Sequence, residues 1–361
     1  MRESVGEAVS DPVSEAGAKT GVVLVGFGGP RNLDEVEPMM SAVFGGRPVP
    51  PPVLASALKK YGLIGGASPL VAIATEITGK LLAAGQRGEL EIAAALPGMQ
   101  FSAPPLADSV ARLREQGCRR LLYLSLTPFH STSAYFAPLE QAREAALAAG
   151  CEFCAAQPIG LTAPYVAATA TRLQAALAGA DAPLVVFVAH SLPLDGSEDT
   201  GLYDGELRGA AQQVIATVTE ASSEAGESRA EDAAESMEKA AEEALPWVCA
   251  YTSQGARGAA WLEPKAQAAL DEARAQGART LVVCPLGFAT DHMEVLYDLD
   301  INLKAAAEDA GLSYRRSQTL GAADDALEAY LQVAREATVP PLSLRAKAKP
   351  ERGNPDDRLQ E

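Results

Sequence analysis

The stretch PLVVFVAH, residues 183–190, decides the fold class, because it is an unbroken apolar run that ends at a histidine. A run of this length, rich in β-branched residues, predicts a strand that is buried on both faces. Helical patterns precede and follow it at residues 164–179 and 204–220. A strand placed between helices in this way is typical of a parallel α/β sheet.

The same alternation extends outward in both directions and predicts two similar α/β halves, each with few strands. Further strands are expected at residues 21–27, 119–129, 151–159, 246–254 and 279–288. Further helices are expected at residues 32–43, 70–84, 105–117, 137–149, 264–276, 291–310 and 322–336.

Three segments fall outside this alternation because they carry few large apolar residues. One of them is dense in Glu, Ala and Ser and interrupts the second half, so we interpret it as an insertion. The predicted organisation is a disordered leader over residues 1–20, an N-terminal α/β domain over 21–160, a C-terminal α/β domain over 161–337 that contains the acidic insertion 221–244, and a disordered tail over 338–361.

The charge balance excludes some classes of partner. The 361 residues carry a formal net charge of -17, with 30 Lys and Arg against 47 Asp and Glu. Phosphate backbones and anionic membrane surfaces attract clustered positive charge, so neither nucleic acid nor such a surface is an expected partner. No apolar run approaches the ~20 residues of a membrane span, and no integral membrane segment is predicted.

The cysteines agree with a reducing compartment. There are five of them, an odd number without the spacing of a disulfide framework. Cys151 and Cys154 form one C-x-x-C pair, which we interpret as small residues at the start of a strand rather than half of a zinc site. With no signal-peptide pattern among the first residues, the predicted location is the cytoplasm.

All three histidines of the chain follow predicted strand ends. They are His130, His190 and His292. Ligands of open α/β sheets bind at the carboxyl ends of the strands, and an imidazole suits both proton transfer and metal binding. Each histidine alone would fit a hydrogen-bonded loop residue, but three at this edge together favour a functional site.

The stretch 291–302 carries acidic residues at helical spacing. Glu294, Asp298 and Asn302 would share one helix face at i, i+4 and i+8. Spacing alone favours a structural role, with Asp291 as an N-cap and Glu294 as its capping-box partner. A solvated acidic face and a functional pair of carboxylates are the alternatives.

Other familiar catalytic patterns are absent from the sequence. Gly28-Gly29-Pro30 is not the G-x-G-x-x-G fingerprint, and its proline removes a backbone donor, so we interpret it as a turn. Ser191 follows His190 without a G-x-S-x-G elbow, which argues against a hydrolase. The missing phosphate loop likewise disfavours a nucleotide-binding enzyme.

Several segments, taken in order, resemble the ferrochelatase family. The pieces AHSLP and GF-x-x-DH-x-E-x-LY-x-x-D are the most specific, whereas the glycine turns are not. The resemblance covers roughly residues 21–337. It is carried by VLVGFGGP (23–30), YGLIGGASPL (61–70), LTPFHSTSAY (126–135), VAHSLP (188–193), SQ…WLEP (253–264) and GFATDHMEVLYDLD (287–300).

This resemblance implies two Rossmann-like domains with parallel sheets and an active-site cleft between them. It implies insertion of Fe²⁺ into a porphyrin with release of two protons, in haem b biosynthesis. By position, His190 and Glu294 would be the catalytic and metal-binding pair, and Asp298 would belong to an acidic stripe behind them. Which of the pair takes the proton and which holds iron stays open, and Asn302 departs from the carboxylate expected there.

The resemblance is greatest to the coproporphyrin III-using branch of Gram-positive bacteria, whose substrate has four propionates. Iron is then a substrate, no permanently bound cofactor is expected, and the absence of cysteines after Cys284 predicts no iron–sulfur cluster. The candidate porphyrin-binding residues are Phe27, Arg47, Lys60, Tyr61, Ser68 and Tyr135.

Three alternatives remain at this stage. Protoporphyrin IX could be the porphyrin instead of coproporphyrin III. A cobalt or nickel chelatase acting on sirohydrochlorin would share the fold and the loss of two protons. A porphyrin or haem carrier without catalysis would use the same scaffold, although it predicts a damaged His/Glu pair.

Overall fold

The computed structural model describes residues 18–226, 245–254 and 260–337. The predicted leader, the acidic insertion and the tail therefore lie largely or wholly outside the described residues. The first residues of the predicted insertion are an exception, because residues 221–226 continue a long helix.

The first sheet contains four parallel strands. These are β1 (Thr20–Gly26), β2 (Ala94–Met99), β3 (Arg120–Ser125) and β4 (Glu152–Ala155). Their order across the sheet is β2-β1-β3-β4, with every neighbouring pair parallel. The first strand in sequence therefore lies in the interior of the sheet, which explains why it is a continuous apolar run.

The second sheet repeats this arrangement. Its strands are β5 (Pro183–His190), β6 (Trp247–Thr252), β7 (Thr280–Cys284) and β8 (Ser313–Arg316). They are again all parallel, in the order β6-β5-β7-β8. Because both sheets place their strands in the same relative order, the prediction of two similar parallel α/β halves is confirmed.

Helices follow the strands and cover the sheets. Those of the first half are α1 (Val36–Val43), α2 (Pro51–Leu63), α3 (Leu70–Gln86), α4 (Leu106–Glu115) and α5 (Ala137–Ala148). The later ones are α6 (Ala163–Leu177), α7 (Thr200–Gly226), α8 (Ala269–Ala275), α9 (Lys304–Asp309) and α10 (Asp324–Arg335). Among the described segments, no helix has the length and apolar character needed to cross a membrane.

One hydrophobic core extends through both halves. It includes Val22 and Leu24 of β1, Val185 and Phe187 of β5, and Tyr330 of α10, all with 2% exposure or less. Burial of side chains this size contributes roughly 1.5–3 kcal/mol each. The shared core sets the two sheets against each other, so their carboxyl edges are held in a fixed relation.

Two of the four edge strands, β2 and β8, were not predicted from the sequence. Strand β2 contains Pro97 and Gly98, which ordinarily argue against a strand, and β8 has the polar sequence SYRR. Both lie at the edge of a sheet, where an unpaired side tolerates proline and polar residues. The apolar pattern therefore identifies the interior strands and the edge strands β4 and β6, whose sequences EFCA and WVCAYT are more apolar, and it misses β2 and β8.

The predicted helical stretch 291–310 has two parts. Residues Glu294–Leu303 form a π-helix, and α9 continues directly from it. A π-helix closes its hydrogen bonds over five residues rather than four, and it occurs mostly as single turns at functional sites. The side chains of this segment are therefore spaced differently from those of the α-helix expected from the sequence.

Candidate active site

His190 is the last residue of β5 and lies at the carboxyl edge of the second sheet. Its Nδ1 is bonded to the carbonyl oxygen of Ser191. A carbonyl can only accept, so Nδ1 carries the proton and Nε2 is the ring nitrogen left for another partner. The side chain is 37% exposed, which leaves Nε2 accessible from the cleft.

Glu294, the first residue of the π-helix, provides that partner. Its Oε1 lies 3.3 Å from Nε2 of His190, and its side chain is 24% exposed. The two residues are more than 100 positions apart in sequence, and the second sheet and the π-helix bring them together. The predicted central pair is thus formed in the folded chain.

The two groups favour each other's charged forms. Burial by itself lowers the pKa of His190, but the Glu294 carboxylate and the Ser191 carbonyl together raise it to about 9. Burial likewise raises the pKa of Glu294, but the charge of His190 lowers it to about 2. Near neutral pH the pair is therefore an imidazolium beside a carboxylate.

His292 supports the backbone of this pair. Its Nδ1 accepts the Glu294 N–H at 3.2 Å, and its ring meets Phe288 edge-on at 4.9 Å between centroids. Burial lowers the pKa of His292, which keeps the ring neutral and Nδ1 able to accept. His292 thereby fixes the backbone of Glu294 at the first residue of the π-helix.

Asp298 lies one turn further along the π-helix and is 7% exposed. Its Oδ1 is 3.4 Å from Nζ of Lys60, and its Oδ2 accepts the hydroxyl of Ser253. The Lys60 ammonium also stands 5.0 Å above the ring centroid of Tyr297. Since Lys60 belongs to α2, this ion pair links the first half of the chain to the π-helix of the second half.

Gly287 allows the second sheet to close tightly beside His190. A Cβ at this position would lie 2.4 Å from the Cβ and 2.6 Å from the Cα of Ala189. The Gly287 N–H donates to the Val188 carbonyl at 2.9 Å. Only glycine fits this approach, so the loop after β7 is fixed against the end of β5.

The remaining predicted substrate residues lie in varied surroundings. Phe27 is 46% exposed after β1 and packs against Phe101 at 4.7 Å. Ser68 is buried beside the Gly29 turn, and its N–H donates to the Pro30 carbonyl at 2.8 Å. These groups lie at the carboxyl edge of the first sheet, where an aromatic ligand could enter.

Three of the predicted residues make other contacts. Tyr61 is 5% exposed and directs its hydroxyl at the Met39 sulfur, 4.0 Å away. Tyr135 is also buried, and its hydroxyl donates to the Ala156 carbonyl at 2.6 Å. Arg47 is exposed, and its Nε donates to the Phe44 carbonyl at 3.0 Å. Their roles toward a porphyrin stay predictions.

Sequence reasoning missed two residues of this site, Ser253 and Tyr297. Ser253 has a φ of 63°, in the left-handed region that non-glycine residues seldom adopt. Its hydroxyl is thereby aimed at Asp298. The position of Ser253 directly after a strand, in the SQ segment, was the available signal.

One imidazole and one carboxylate, those of His190 and Glu294, do not make a closed metal site. In the portion of the chain that the structure covers, no group of three or more His, Cys, Asp or Glu side chains is arranged to hold a metal ion. His190 and Glu294 could supply two ligands and leave other positions open. Such a site suits an ion that must be released rather than stored.

We expect the His190 imidazole to titrate near pH 9 in the porphyrin-free protein, because Glu294 favours its charged form. The chain has only three histidines, so NMR can follow the ring protons of each one as pH is changed. The His190 signal is assigned as the one that is missing from the spectrum of His190→Ala. In Glu294→Gln the midpoint should fall toward the ordinary 6.5.

The pKa shifts of the pair also make the stability of the fold depend on pH. The raised pKa of His190 and the lowered pKa of Glu294 mean that the ion pair stabilises the fold fully between about pH 4.5 and 6.5. This contribution is lost as pH rises through about 9, where His190 loses its proton, and as pH falls through about 2, where Glu294 gains one. A His190 midpoint that stays near 9 in Glu294→Gln would contradict the assignment of the carboxylate as the cause.

The sequence of the chain is similar to those of known ferrochelatases over most of its length. The sequence model described as Ferrochelatase matches residues 19–338. A coproporphyrin III ferrochelatase of Frankia alni is 32% identical over 92% of this chain and 83% of the relative. One from Streptomyces coelicolor is 31% identical over 86% and 83%, and a ferrochelatase of Herpetosiphon aurantiacus is 29% identical over 84% and 94%.

A solved structure shows the same architecture at much lower identity. SirB from Bacillus subtilis, in a structure with Fe³⁺, aligns over 88% of this chain and 95% of its own with a TM-score of 0.51 and 12% identity. At this identity the likeness concerns the fold alone, and it confirms the predicted chelatase-like fold. The match to the Ferrochelatase sequence model over residues 19–338 shows that the chain belongs to the ferrochelatase family.

Proposed function

We propose that this protein is a lyase that inserts Fe²⁺ into coproporphyrin III and releases two protons, as a step of haem biosynthesis. The observation that carries the proposal is the His190–Glu294 pair, 3.3 Å apart at the carboxyl edge of the second sheet. The coproporphyrin III ferrochelatases of Frankia alni and Streptomyces coelicolor, each similar over more than four-fifths of the chain, support the substrate.

The chemistry requires a base and a negative charge near the metal. Two pyrrole N–H protons leave the macrocycle while iron enters, so the charge of the incoming ion is balanced by the nitrogens. Glu294, with a pKa of about 2, is a weak base and stays charged. His190 is the stronger base of the two, and we assign it the pyrrole proton and Glu294 the stabilisation of positive charge.

His190 must first lose the proton it holds at neutral pH. Its pKa of about 9 makes the imidazolium the main form of His190 at neutral pH. When iron and porphyrin enter the cleft, the positive charge of the ion repels the imidazolium and lowers the pKa of His190. His190 then releases its proton toward solvent and can accept one from a pyrrole. Asp298, next along the π-helix, is the proposed group that passes the released protons toward solvent or hydrated iron from solvent toward the pair.

The cleft offers both surfaces that a porphyrin needs. The flat aromatic ring needs apolar contact, and the exposed ring of Phe27, packed against the partly buried ring of Phe101, provides it. The propionates need cationic partners at the rim. Arg47 and Lys60 are the proposed ones, and binding of a propionate by Lys60 would compete with its ion pair to Asp298.

The proposal includes no resident cofactor, no iron–sulfur cluster and no nucleic-acid partner, and it places the enzyme in the cytoplasm. Protoporphyrin IX and sirohydrochlorin are the rival substrates, and a porphyrin carrier without catalysis is the rival of another class.

The deciding experiment is anaerobic Fe²⁺ insertion by the purified protein, followed as loss of porphyrin fluorescence. Coproporphyrin III, protoporphyrin IX and sirohydrochlorin are compared at equal concentration. We expect the largest kcat/KM with coproporphyrin III. Preference for protoporphyrin IX would correct the substrate, turnover of sirohydrochlorin alone would move the protein to another chelatase reaction, and tight binding without turnover of any of them would support a carrier.

A further inference from the structure

The edge strand β8 contacts the π-helix through two side chains, Tyr314 and Arg316. We propose that these two are positioning residues for metal insertion, which hold the π-helix where Glu294 reaches His190. The inference rests on the proposed role of Glu294. Neither residue touches the His190–Glu294 pair itself, so any effect on the reaction passes through the helix that carries Glu294.

Arg316 grips the π-helix by a two-pronged ion pair. Its Nε lies 2.5 Å from Oδ1 of Asp300, and its Nη2 lies 2.9 Å from Oδ2. The arginine side chain is 14% exposed and the aspartate 32%. A bidentate guanidinium–carboxylate pair fixes orientation as well as distance, and partial burial strengthens it.

The same guanidinium also reaches the segment before the π-helix. Nη1 of Arg316 lies 3.5 Å from Oδ1 of Asp291, which in addition accepts the hydroxyl of Thr319 at 3.0 Å. Asp291 precedes Glu294 by three residues and Asp300 follows it by six. Arg316 therefore forms ion pairs with the chain on both sides of Glu294.

Tyr314 adds a bond to the backbone of the helix. Its hydroxyl donates to the carbonyl of Leu299 at 2.9 Å, and its ring packs on the core cluster that contains Leu299. A ten-residue π-helix is unusual, because this winding is rarely stable beyond a single turn. Bonds from outside the helix are then needed to keep it wound.

The Asp298 contacts hold the same helix from another direction. Lys60 and Ser253 engage Asp298, while Arg316 engages Asp300 two residues later. Successive residues two apart point to roughly opposite sides of a helix, so the π-helix is held between the cleft and β8. Releasing the β8 side would let Glu294 drift from His190.

Strand β8 also provides a matched control in Arg315. Its guanidinium donates to the carbonyls of Ala176, Ala178 and Gly179, at 3.2, 2.5 and 2.9 Å, near the end of α6. Arg315→Gln removes an arginine with several bonds from the same strand without removing a contact to the π-helix. It therefore reports the effect of general destabilisation.

The test compares Arg316→Gln, Arg316→Lys, Tyr314→Phe and Arg315→Gln in the full-length protein. For Arg316→Gln we expect kcat to fall by about 10- to 100-fold, the range typical of residues that orient a metal ligand, with the KM for porphyrin unchanged. Tyr314→Phe should show a smaller loss of the same kind. Arg316→Lys should recover part of the rate, since lysine keeps the charge but not the fork.

Two measurements are independent of turnover. Zn²⁺ binding to the porphyrin-free protein, followed by calorimetry, should weaken in Arg316→Gln but not in Arg315→Gln. Hydrogen exchange of the amides over residues 294–303 should quicken in the same variant only. If the wild-type protein fails to insert iron, the proposed function is refuted. The exchange and Zn²⁺-binding measurements still test the positioning role of Tyr314 and Arg316 in that case.

The proposal is overturned if Arg316→Gln retains wild-type exchange over the π-helix and wild-type Zn²⁺ affinity. It is equally overturned if Arg315→Gln reproduces every effect of Arg316→Gln, because the strand would then contribute stability and not position.

Discussion

Replacing His190 by alanine is expected to lower the rate of iron insertion by about 1,000-fold, within the range observed for loss of a general base. The imidazole is the stronger base of the His190–Glu294 pair, and its Nε2 lies 3.3 Å from Oε1 of Glu294. Alanine leaves neither a proton acceptor nor a nitrogen ligand there. The measurement is kcat from anaerobic insertion of Fe²⁺ into coproporphyrin III.

Binding and folding controls separate chemistry from damage. The variant should bind porphyrin with the affinity of the wild type, measured by quenching of porphyrin fluorescence, because the apolar surface around Phe27 is unchanged. Its thermal midpoint should move little near pH 9, where the wild-type imidazolium is also being lost. A variant that binds porphyrin and inserts iron at the wild-type rate would exclude His190 as the base.

Replacing Glu294 by glutamine should lower kcat by about 100-fold, which is the lower end of the range for removing one group that stabilises developing charge. Glutamine has the size of glutamate, so packing is retained and only the charge is removed. Without that charge, the incoming ion loses a ligand and its electrostatic stabilisation. We expect the apparent affinity for Fe²⁺ to fall as well, measured from the dependence of rate on iron concentration.

The double variant His190→Ala/Glu294→Gln tests whether the two act as one unit. If they do, the double variant should be hardly slower than His190→Ala, because residues of one catalytic unit are strongly non-additive. Losses that multiply would show that Glu294 acts independently of His190. Glu294→Asp is the matched charge-retaining control, and it tests distance, since its shorter side chain keeps the carboxylate but withdraws it from His190.

The sequence predicted the interior strands of both sheets and the edge strands β4 and β6, and it missed the edge strands β2 and β8. Strands β1, β3, β5 and β7 are buried runs whose apolar pattern identifies them wherever they occur. Strands β2 and β8 carry proline, glycine or arginine, and only pairing with a neighbour makes them strands. Of the two, β8 matters most for the site, because it holds the π-helix.

The candidate site shows the same division. His190 was recognised because it ends a buried strand, and Glu294 through the resemblance to a family, since spacing alone favoured a capping role. The capping interpretation of Glu294 is not what the structure shows, because His292 and not Asp291 accepts the Glu294 N–H. Tyr61 and Tyr135, in contrast, use their hydroxyls within the protein interior.

The sequence by itself determined the two parallel α/β halves, the family and the central pair, because burial patterns and short motifs are local properties of the chain. Only the tertiary structure decided the 3.3 Å approach of His190 to Glu294, the π-helical winding, and the contacts of Asp298 with Lys60 and Ser253. These join residues from distant segments, and their geometry depends on how the shared core sets one sheet against the other. The charge states of the pair follow from that geometry, since neither group alone would have a shifted pKa of this sign.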